Sequence, residues 1–251
     1  MYEYCSRNDV GVYYKNNDDK FMINGVIVEE GDYEGETQNY ISAVLCDGVG
    51  GQQEGYRAAL MTLEKFKEVS KENLGIEEIM DKAKEANDLV RKIQKEENKE
   101  NGLKNTLVGI YANEDIFIYY NLGDSRAYRY RNGYFQRLTR DDSKVQDMID
   151  AEVITYEEAI NHPEKNIINK CIGYSDKCEL NIYSSSVGLI NNDIIFLCSD
   201  GVTDVIDDDT LKSIFDKKGS IEESLEEIHS LSIKNGSKDN ISLIVIKKEN
   251  Q

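Results

Sequence analysis

The sequence predicts an α+β fold in which two antiparallel β-sheets pack face to face and helices lie outside them. One observation is a central block of strand-like stretches, "TLVGIYA", "DIFIYYNLG", "SRAYRYRNG" and "YFQRLT", with the turn pairs Asn113-Glu114 and Asn132-Gly133 between them. The other is that helical stretches stand in pairs before and after this block, not singly between its strands. Runs of strands separated by helix pairs are typical of α+β folds, not of parallel sheets.

Two strands and two helices precede the central block. Residues 21–30 alternate between apolar and polar side chains and residues 39–46 form an apolar run, so both are predicted as strands. Apolar side chains recur at helical spacing over 53–71, and residues 76–98 continue as a helix rich in Glu and Lys. The charges of this second helix indicate a solvated face.

The chain after the block is predicted to continue with helices and strands. Two short helices cover 143–162, and the second is capped by Thr155 with Glu158 three residues on, the spacing of a capping box. The remaining elements are strands at 178–187 and 193–199, helices at about 209–216 and 220–234, and a last strand, "ISLIVIKK". No repeat and no Pro-, Gly- or Ser-rich linker divides the chain, so we expect a single domain, 1–251.

The composition excludes several classes of protein. Asp and Glu number 48 against 30 Lys and Arg, a formal net charge of −18. Such a surface repels nucleic acids and anionic membranes, so neither is expected as a partner. The N-terminus has no apolar signal core and no run reaches the roughly 18 residues of a spanning helix, so we expect a cytoplasmic protein. The 5 Cys lack the spacing of a zinc site or a disulfide framework.

Carboxylates recur at the ends of the predicted strands, most of them beside Gly or Asn. Each one alone is a common turn residue. Together they predict a rim where carboxylates converge, an arrangement that is unfavourable without cations. Oxygen ligands suit Mg²⁺ or Mn²⁺, and two such ions about 3.5–4 Å apart can activate water and bind a phosphoryl group. The side chains concerned are Asp18, Asp19, Asp47, Asp124, Asp200, Asp204 and Asp239.

Seven motifs in chain order then carry a resemblance: "NDVGVYYKNNDD", "DGVGGQQEGYRAA", "GDSRAY", "LTRDDS", "EAINHPEKNIINKCIG", "LCSDGVTD" and "DNISLIVI". From about residue 8 to 247 the chain resembles the bacterial metal-dependent protein Ser/Thr phosphatases of the PP2C (PPM) family. The resemblance implies a four-layer α/β/β/α fold, a central antiparallel β-sandwich flanked by helix pairs. It also implies a flap subdomain at about 143–178 beside the active site, where substrates are selected.

The resemblance assigns a role to each site residue. Asp47 would bridge two Mn²⁺ or Mg²⁺ ions, and the Gly48 carbonyl would ligate one of them. Asp19 would hold metal-bound water and, with Asp47, form the catalytic pair. The other implied ligands are Asp200 and Asp239 on the second ion, Asp18 in place of the family Glu, and Asp124 and Asp204 at a third, weaker site. Asn240 would position Asp239 or the neighbouring loop.

The implied reaction is direct hydrolysis of phosphoserine and phosphothreonine by a hydroxide that bridges the two ions, without a covalent phosphoenzyme. The implied partners are phosphorylated proteins, the substrates of a cognate Ser/Thr kinase in a bacterial signalling system. The enzyme is expected to act as a monomer.

The chain departs from the family pattern at the residue that binds the substrate phosphate. Tyr14 stands where the family has an Arg, and a phenol cannot offer a charged, bidentate fork. Lys15 or Arg7 could substitute for it. The alternative is a catalytically weak regulatory or phosphoprotein-binding module, and a third possibility is a hydrolase of small phosphate esters. The family His residues fall on Gln52 and Asp142, and His229 is interpreted as a surface or packing residue.

Overall fold

Two six-stranded antiparallel sheets form the centre of this computed structural model, which describes residues 1–49, 54–69, 71–99, 102–217 and 219–250. The strands, in chain order, are β1 (Tyr2–Asp9), β2 (Lys20–Ile23), β3 (Val26–Val28), β4 (Gly31–Thr37), β5 (Ile41–Cys46), β6 (Gly48–Val49), β7 (Lys104–Asn105), β8 (Leu107–Ala112), β9 (Phe117–Leu122), β10 (Arg126–Arg131), β11 (Tyr134–Arg137), β12 (Asn181–Ser185), β13 (Ile194–Cys198) and β14 (Ile241–Lys248). The helices are α1 (Gly55–Lys67), α2 (Ile76–Glu97), α3 (Lys144–Asp150), α4 (Tyr156–Ile160), α5 (Asp200–Thr203), α6 (Asp208–Phe215) and α7 (Ile221–Lys234).

The first sheet has the strand order β11-β10-β13-β14-β1-β4, and the second has β12-β9-β8-β5-β2-β3. Between the two sheets lies an apolar layer that includes Phe21, Leu45 and Ile244. The outer face of the second sheet packs on α1 and α2, and the outer face of the first packs on the helices that follow β13. Each sheet is therefore covered on both faces, which explains why β5 and β8 are apolar and buried along their whole length. The predicted four-layer sandwich is confirmed.

The turn between β10 and β11 in the central block was predicted correctly, whereas a turn near the N-terminus was missed. Asn132 and Gly133 both have positive φ and join β10 to β11, as the sequence predicts. The single strand predicted over 21–30 is wrong, because Asn24 and Gly25 also take positive φ and fold it into the hairpin β2–β3.

Four strands escaped prediction: the two-residue strands β6 and β7, which pair with each other, and the longer strands β1 and β4, whose sequences are polar. β1 lies between β14 and β4 in the first sheet, and β4, "GDYEGET", forms an acidic edge of that sheet. Charged side chains on an edge strand discourage pairing with another chain, which explains the composition of β4. In the described ranges, no helix combines the length and apolar character needed to cross a membrane.

Candidate active site

One end of the sandwich carries a cavity of about 310 Å³ at which both sheets contribute loops. Asp47 follows β5 of the second sheet, Asp239 precedes β14 of the first, and Asp200 begins α5 directly after β13. Strands from both sheets thus deliver carboxylates to one place. The cavity is lined by Tyr14, Lys15, Asn16, Asp18, Asp47, Gly48, Val49, Asp124, Asn166, Ile168, Asp200, Asp239 and Asn240.

The remaining predicted residues lie close by. Asp19 is only 2% exposed and does not line the cavity, but the charge of Asp239 contributes to raising the pKa of its carboxyl. Asp204 lines a smaller neighbouring cavity of about 100 Å³ that shares Asp124 and Asp200 with the first. Gln52 lies outside the described residues. The structure therefore gathers every predicted metal-site residue in one region, although their roles stay predictions.

Asn240 connects the loop before β2 to the loop before β14. Its Oδ1 accepts a hydrogen bond from the Asp18 amide at 2.8 Å, and its Nδ2 donates to the Val10 and Asn16 carbonyls at 2.8 and 3.2 Å. Its own amide donates to Asp239 Oδ1 at 2.8 Å. One amide side chain therefore fixes the relative position of two segments that carry site carboxylates.

Thr106 plays a similar part for Asp47 and Asp124. The Thr106 amide donates to the Asp47 carbonyl at 2.7 Å, and the Asp47 amide donates back to Thr106 Oγ1 at 3.1 Å. The same hydroxyl lies 2.7 Å from Ser125 Oγ, next to Asp124 in the chain. Asp142, where the family has a His, accepts a hydrogen bond from the Gly123 amide at 3.1 Å and so also anchors this turn.

Glycines permit the close backbone approach that the site requires. A Cβ atom on Gly201 would lie 1.9 Å from the Asn240 carbonyl oxygen, and one on Gly48 would lie 2.5 Å from the Gly55 carbonyl carbon. Neither distance is possible for a residue with a side chain, so the Asp-Gly pairs at 47–48 and 200–201 are needed for backbone packing as well as for turns.

Burial and like charge disfavour ionisation of the site carboxyls. Burial raises the pKa of Asp19 to about 6 and that of Asp124 to about 7, against an ordinary value near 3.8. The pKa values of Asp47 and Asp200 are raised well above the ordinary range, first by burial and then by the neighbouring carboxylates. The arrangement is costly when the carboxylates are charged and uncompensated.

Within the described ranges, three carboxylate oxygens of this group are buried and have no hydrogen-bond partner: Asp19 Oδ2, Asp124 Oδ1 and Asp200 Oδ1. Buried polar atoms are normally paired, so these oxygens fit a bound hard cation. Among the described residues, no three acidic, His or Cys side chains are grouped so as to hold an ion by themselves. Mg²⁺ keeps several waters when it binds protein, so carboxylates, the Gly48 carbonyl and water together suit it.

Residues of the predicted flap line part of the cavity. After the short helices α3 and α4, the chain contributes Asn166 and Ile168 to the lining. Lys165 forms an ion pair with Asp204 at 3.0 Å. The predicted capping box is confirmed, because the Thr155 amide donates to Glu158 Oε2 at 2.8 Å and the Glu158 amide donates to Thr155 Oγ1 at 3.2 Å.

His229 is a residue whose importance the sequence did not indicate. It is buried on α7, with Nε2 2.8 Å from Asp9 Oδ2 and Nδ1 3.3 Å from an Arg7 nitrogen. Asp9 Oδ1 in turn accepts a hydrogen bond from the Gly11 amide at 2.7 Å, at the start of the loop that carries Tyr14. Because 220 residues separate Asp9 from His229, no local signal could have revealed the pair.

On the phosphatase activity that the family resemblance implies, we expect His229→Ala to loosen this loop and raise KM for a phosphopeptide about 5-fold, with a smaller change in kcat. The size follows from the loss of about 1 kcal/mol for one hydrogen bond. Steady-state kinetics would measure it. Ser230→Ala, which removes only an exposed hydroxyl bonded to Glu226 on the same helix, is the control. Equal kinetics for both variants would mean that His229 does not order the loop.

Comparison with known proteins gives the family. A family model described as "Protein phosphatase 2C" matches residues 30–241. The chain belongs to the protein phosphatase 2C family. Among curated proteins of this kind, the serine/threonine phosphatase stp of Listeria monocytogenes is 28% identical over 254 residues, covering 97% of this chain and 94% of its own length.

Solved structures of serine/threonine phosphatases share the fold. The serine/threonine phosphatase Stp1 from Staphylococcus aureus superposes with a TM-score of 0.86 at 28% identity, covering 100% of this chain and 96% of that one. The catalytic domain of PstP, solved in complex with 2 manganese ions, has a TM-score of 0.82 at 22% identity, with 100% of both chains covered. At 22% identity, the likeness to PstP shows a shared fold and nothing more.

Proposed function

We propose that this PP2C-family protein is a metal-dependent protein serine/threonine phosphatase that uses a pair of Mn²⁺ or Mg²⁺ ions. The observation that carries the proposal is that, among the described residues, Asp124 and Asp200 of the cavity lining and the buried Asp19 each have a carboxylate oxygen without a hydrogen-bond partner. Buried carboxylate oxygens without a partner are unfavourable unless a cation offsets their charge, and a pair of divalent cations suits phosphoryl transfer.

In this proposal the ions are held by Asp47, the Gly48 carbonyl, Asp200 and Asp239, with Asp18 and Asp19 in support and Asp124 and Asp204 at a third site. When bound, the ions supply Lewis-acid stabilisation of the phosphoryl oxygens and lower the pKa of the attacking water. Asp19 Oδ2 would accept a hydrogen bond from that water and orient it. Asn240 would hold Asp239 and the loop of Asp18 in place through the bonds described above.

Proton transfer to the Ser or Thr leaving group has no imidazole donor in this proposal. His162 accepts a hydrogen bond from the Glu164 amide at 3.2 Å and His229 is bonded to Asp9, and neither lines the cavity. Water is then the proton source. The segment 143–178 would act as the substrate-selecting flap of a single domain, 1–251. A cytoplasmic monomer that opposes a Ser/Thr kinase remains a prediction from the sequence.

One observation favours the alternative of a catalytically weak, phosphoprotein-binding module. Tyr14 is 53% exposed at the rim, and Asp239 raises the pKa of its hydroxyl, followed by burial and by Asp200. A phenol held beside carboxylates stays neutral and gives a phosphate only one uncharged hydrogen bond.

Hydrolysis of p-nitrophenyl phosphate and of a phosphothreonine peptide, each with Mn²⁺ and with EDTA, tests the proposal. We expect Mn²⁺-dependent turnover of both substrates, a higher kcat/KM for the peptide, and loss of activity in EDTA. A protein that binds the phosphopeptide without turning it over would support the alternative. Turnover of the small ester alone would indicate a hydrolase of small phosphate esters.

A further inference from the structure

The structure distinguishes between the two cations that could replace the missing phosphate-binding arginine. Arg7 is not available to bind the phosphate, because its Nε donates to Asp32 Oδ1 at 2.7 Å and its NH1 donates to Glu226 Oε2 at 2.8 Å. Arg7 also does not line the cavity. Its charge is therefore already used in a surface network with two carboxylates and His229.

The other nearby cations are engaged as well. Lys20 is buried, and its Nζ donates to the Asn17 and Asp19 carbonyls at 2.6 and 2.9 Å. Lys165 pairs with Asp204 at the neighbouring cavity. Arg126 pairs with Asp141 at 2.8 Å, and Arg137 pairs with the same carboxylate.

Lys15 differs from all of these. It is the one cationic side chain among the described residues that line the cavity, and it is exposed. Within the described part of the chain, no hydrogen bond or ion pair involves its ammonium group. It also lines the open groove next to the cavity, so its side chain stands at the entrance.

The backbone around Lys15 is held in place while its side chain is not. The carbonyl of the next residue, Asn16, accepts a hydrogen bond from Asn240 Nδ2 at 3.2 Å, so the loop is tied to the site carboxylates. A long, flexible side chain on a fixed backbone can reach a phosphate as a point charge, without the geometry that an arginine fork requires.

The charge of the cavity calls for such a cation. Its lining includes 5 carboxylates, those of Asp18, Asp47, Asp124, Asp200 and Asp239. An entering phosphate monoester adds further negative charge to this acidic lining. An additional cation at the entrance attracts the phosphate and orients it.

On the assumption of the phosphatase function above, we propose that the Lys15 ammonium binds the substrate phosphate in place of the family arginine. The group bound is the phosphate monoester of the substrate, and inorganic phosphate as the product shares the contact. Tyr14 contributes aromatic surface and at most one hydrogen bond beside it.

The test compares Lys15→Met, Lys15→Arg and Tyr14→Phe with wild type, and uses Lys84→Met, an exposed lysine on α2, as the matched control. Two quantities are measured in Mn²⁺: KM for a phosphothreonine peptide and the competitive inhibition constant of inorganic phosphate. We expect Lys15→Met to raise both about 10-fold, the size of one lost charge-assisted hydrogen bond, with little change in kcat. Lys15→Arg should restore both to within about 3-fold, because the charge is kept.

Unchanged constants in Lys15→Met would overturn the proposal, and a full effect in Tyr14→Phe would then assign the phosphate contact to Tyr14. Titration calorimetry of inorganic phosphate into the Mn²⁺-loaded protein gives the same comparison without turnover. An inactive wild-type protein would contradict the phosphatase function, whereas an active one with an unaffected Lys15→Met variant would contradict the role of Lys15 alone.

Discussion

Asp200→Asn should lower Mn²⁺-dependent turnover by at least about 100-fold, since several kcal/mol of transition-state stabilisation depend on the bound ions. The same substitution should make the metal-free protein more stable. The carboxylate follows a buried strand, has an unpartnered buried oxygen, and has a pKa raised well above the ordinary range by burial and by Asp124 and Asp239. A neutral amide removes both a charged ligand and a source of repulsion.

The two readouts separate a functional loss from general damage. Turnover of the phosphothreonine peptide measures function. The melting temperature in EDTA measures the stability of the metal-free protein, and we expect it to rise by about 2–4 °C per kcal/mol gained. Asp115→Asn, an exposed carboxylate at the turn between β8 and β9, should change neither. Wild-type turnover in Asp200→Asn would remove Asp200 from the metal site, and a lower melting temperature would point to misfolding instead.

The stability of the metal-free protein should fall as the pH rises from about 4 to about 7. The folded-state pKa is about 6 for Asp19 and about 7 for Asp124, above the ordinary 3.8 of the unfolded chain. In this window the folded protein retains protons that the unfolded chain has released, so each rise in pH favours unfolding. This loss of folding stability is absent below about pH 4 and reaches its full size above about pH 7.

Mn²⁺ should reverse this dependence, because it binds the ionised carboxylates and competes with protons. We expect the gap in melting temperature between Mn²⁺ and EDTA samples to widen from pH 5 to pH 7.5, as measured by differential scanning calorimetry. The Asp115→Asn variant should follow wild type at every pH, and Asp200→Asn should show a smaller gap. A gap that stays constant with pH would mean that these carboxylates are not the metal ligands.

Many elements were predictable because their signals are local. Helical spacing of apolar residues located α1, and the Thr155–Glu158 pair marked the start of α4. Asp residues beside Gly at the ends of apolar strands gave the candidate site, since turn chemistry acts over a few residues. Where local rules conflict, prediction failed: Asn24-Gly25 divides an alternating strand pattern into a hairpin.

The sequence alone determined the family motifs, the helix periods and the identity of the carboxylates, because each depends on neighbours along the chain. Only the tertiary structure decided that Asn240 joins two site loops, that His229 bonds to Asp9, and that Arg7 is paired with Asp32 away from the cavity that Lys15 lines. These contacts join residues that the chain separates widely, as with the 222 positions between Asp18 and Asn240. The register of β1 against β14 brings them together, and that register depends on sheet packing across the whole domain.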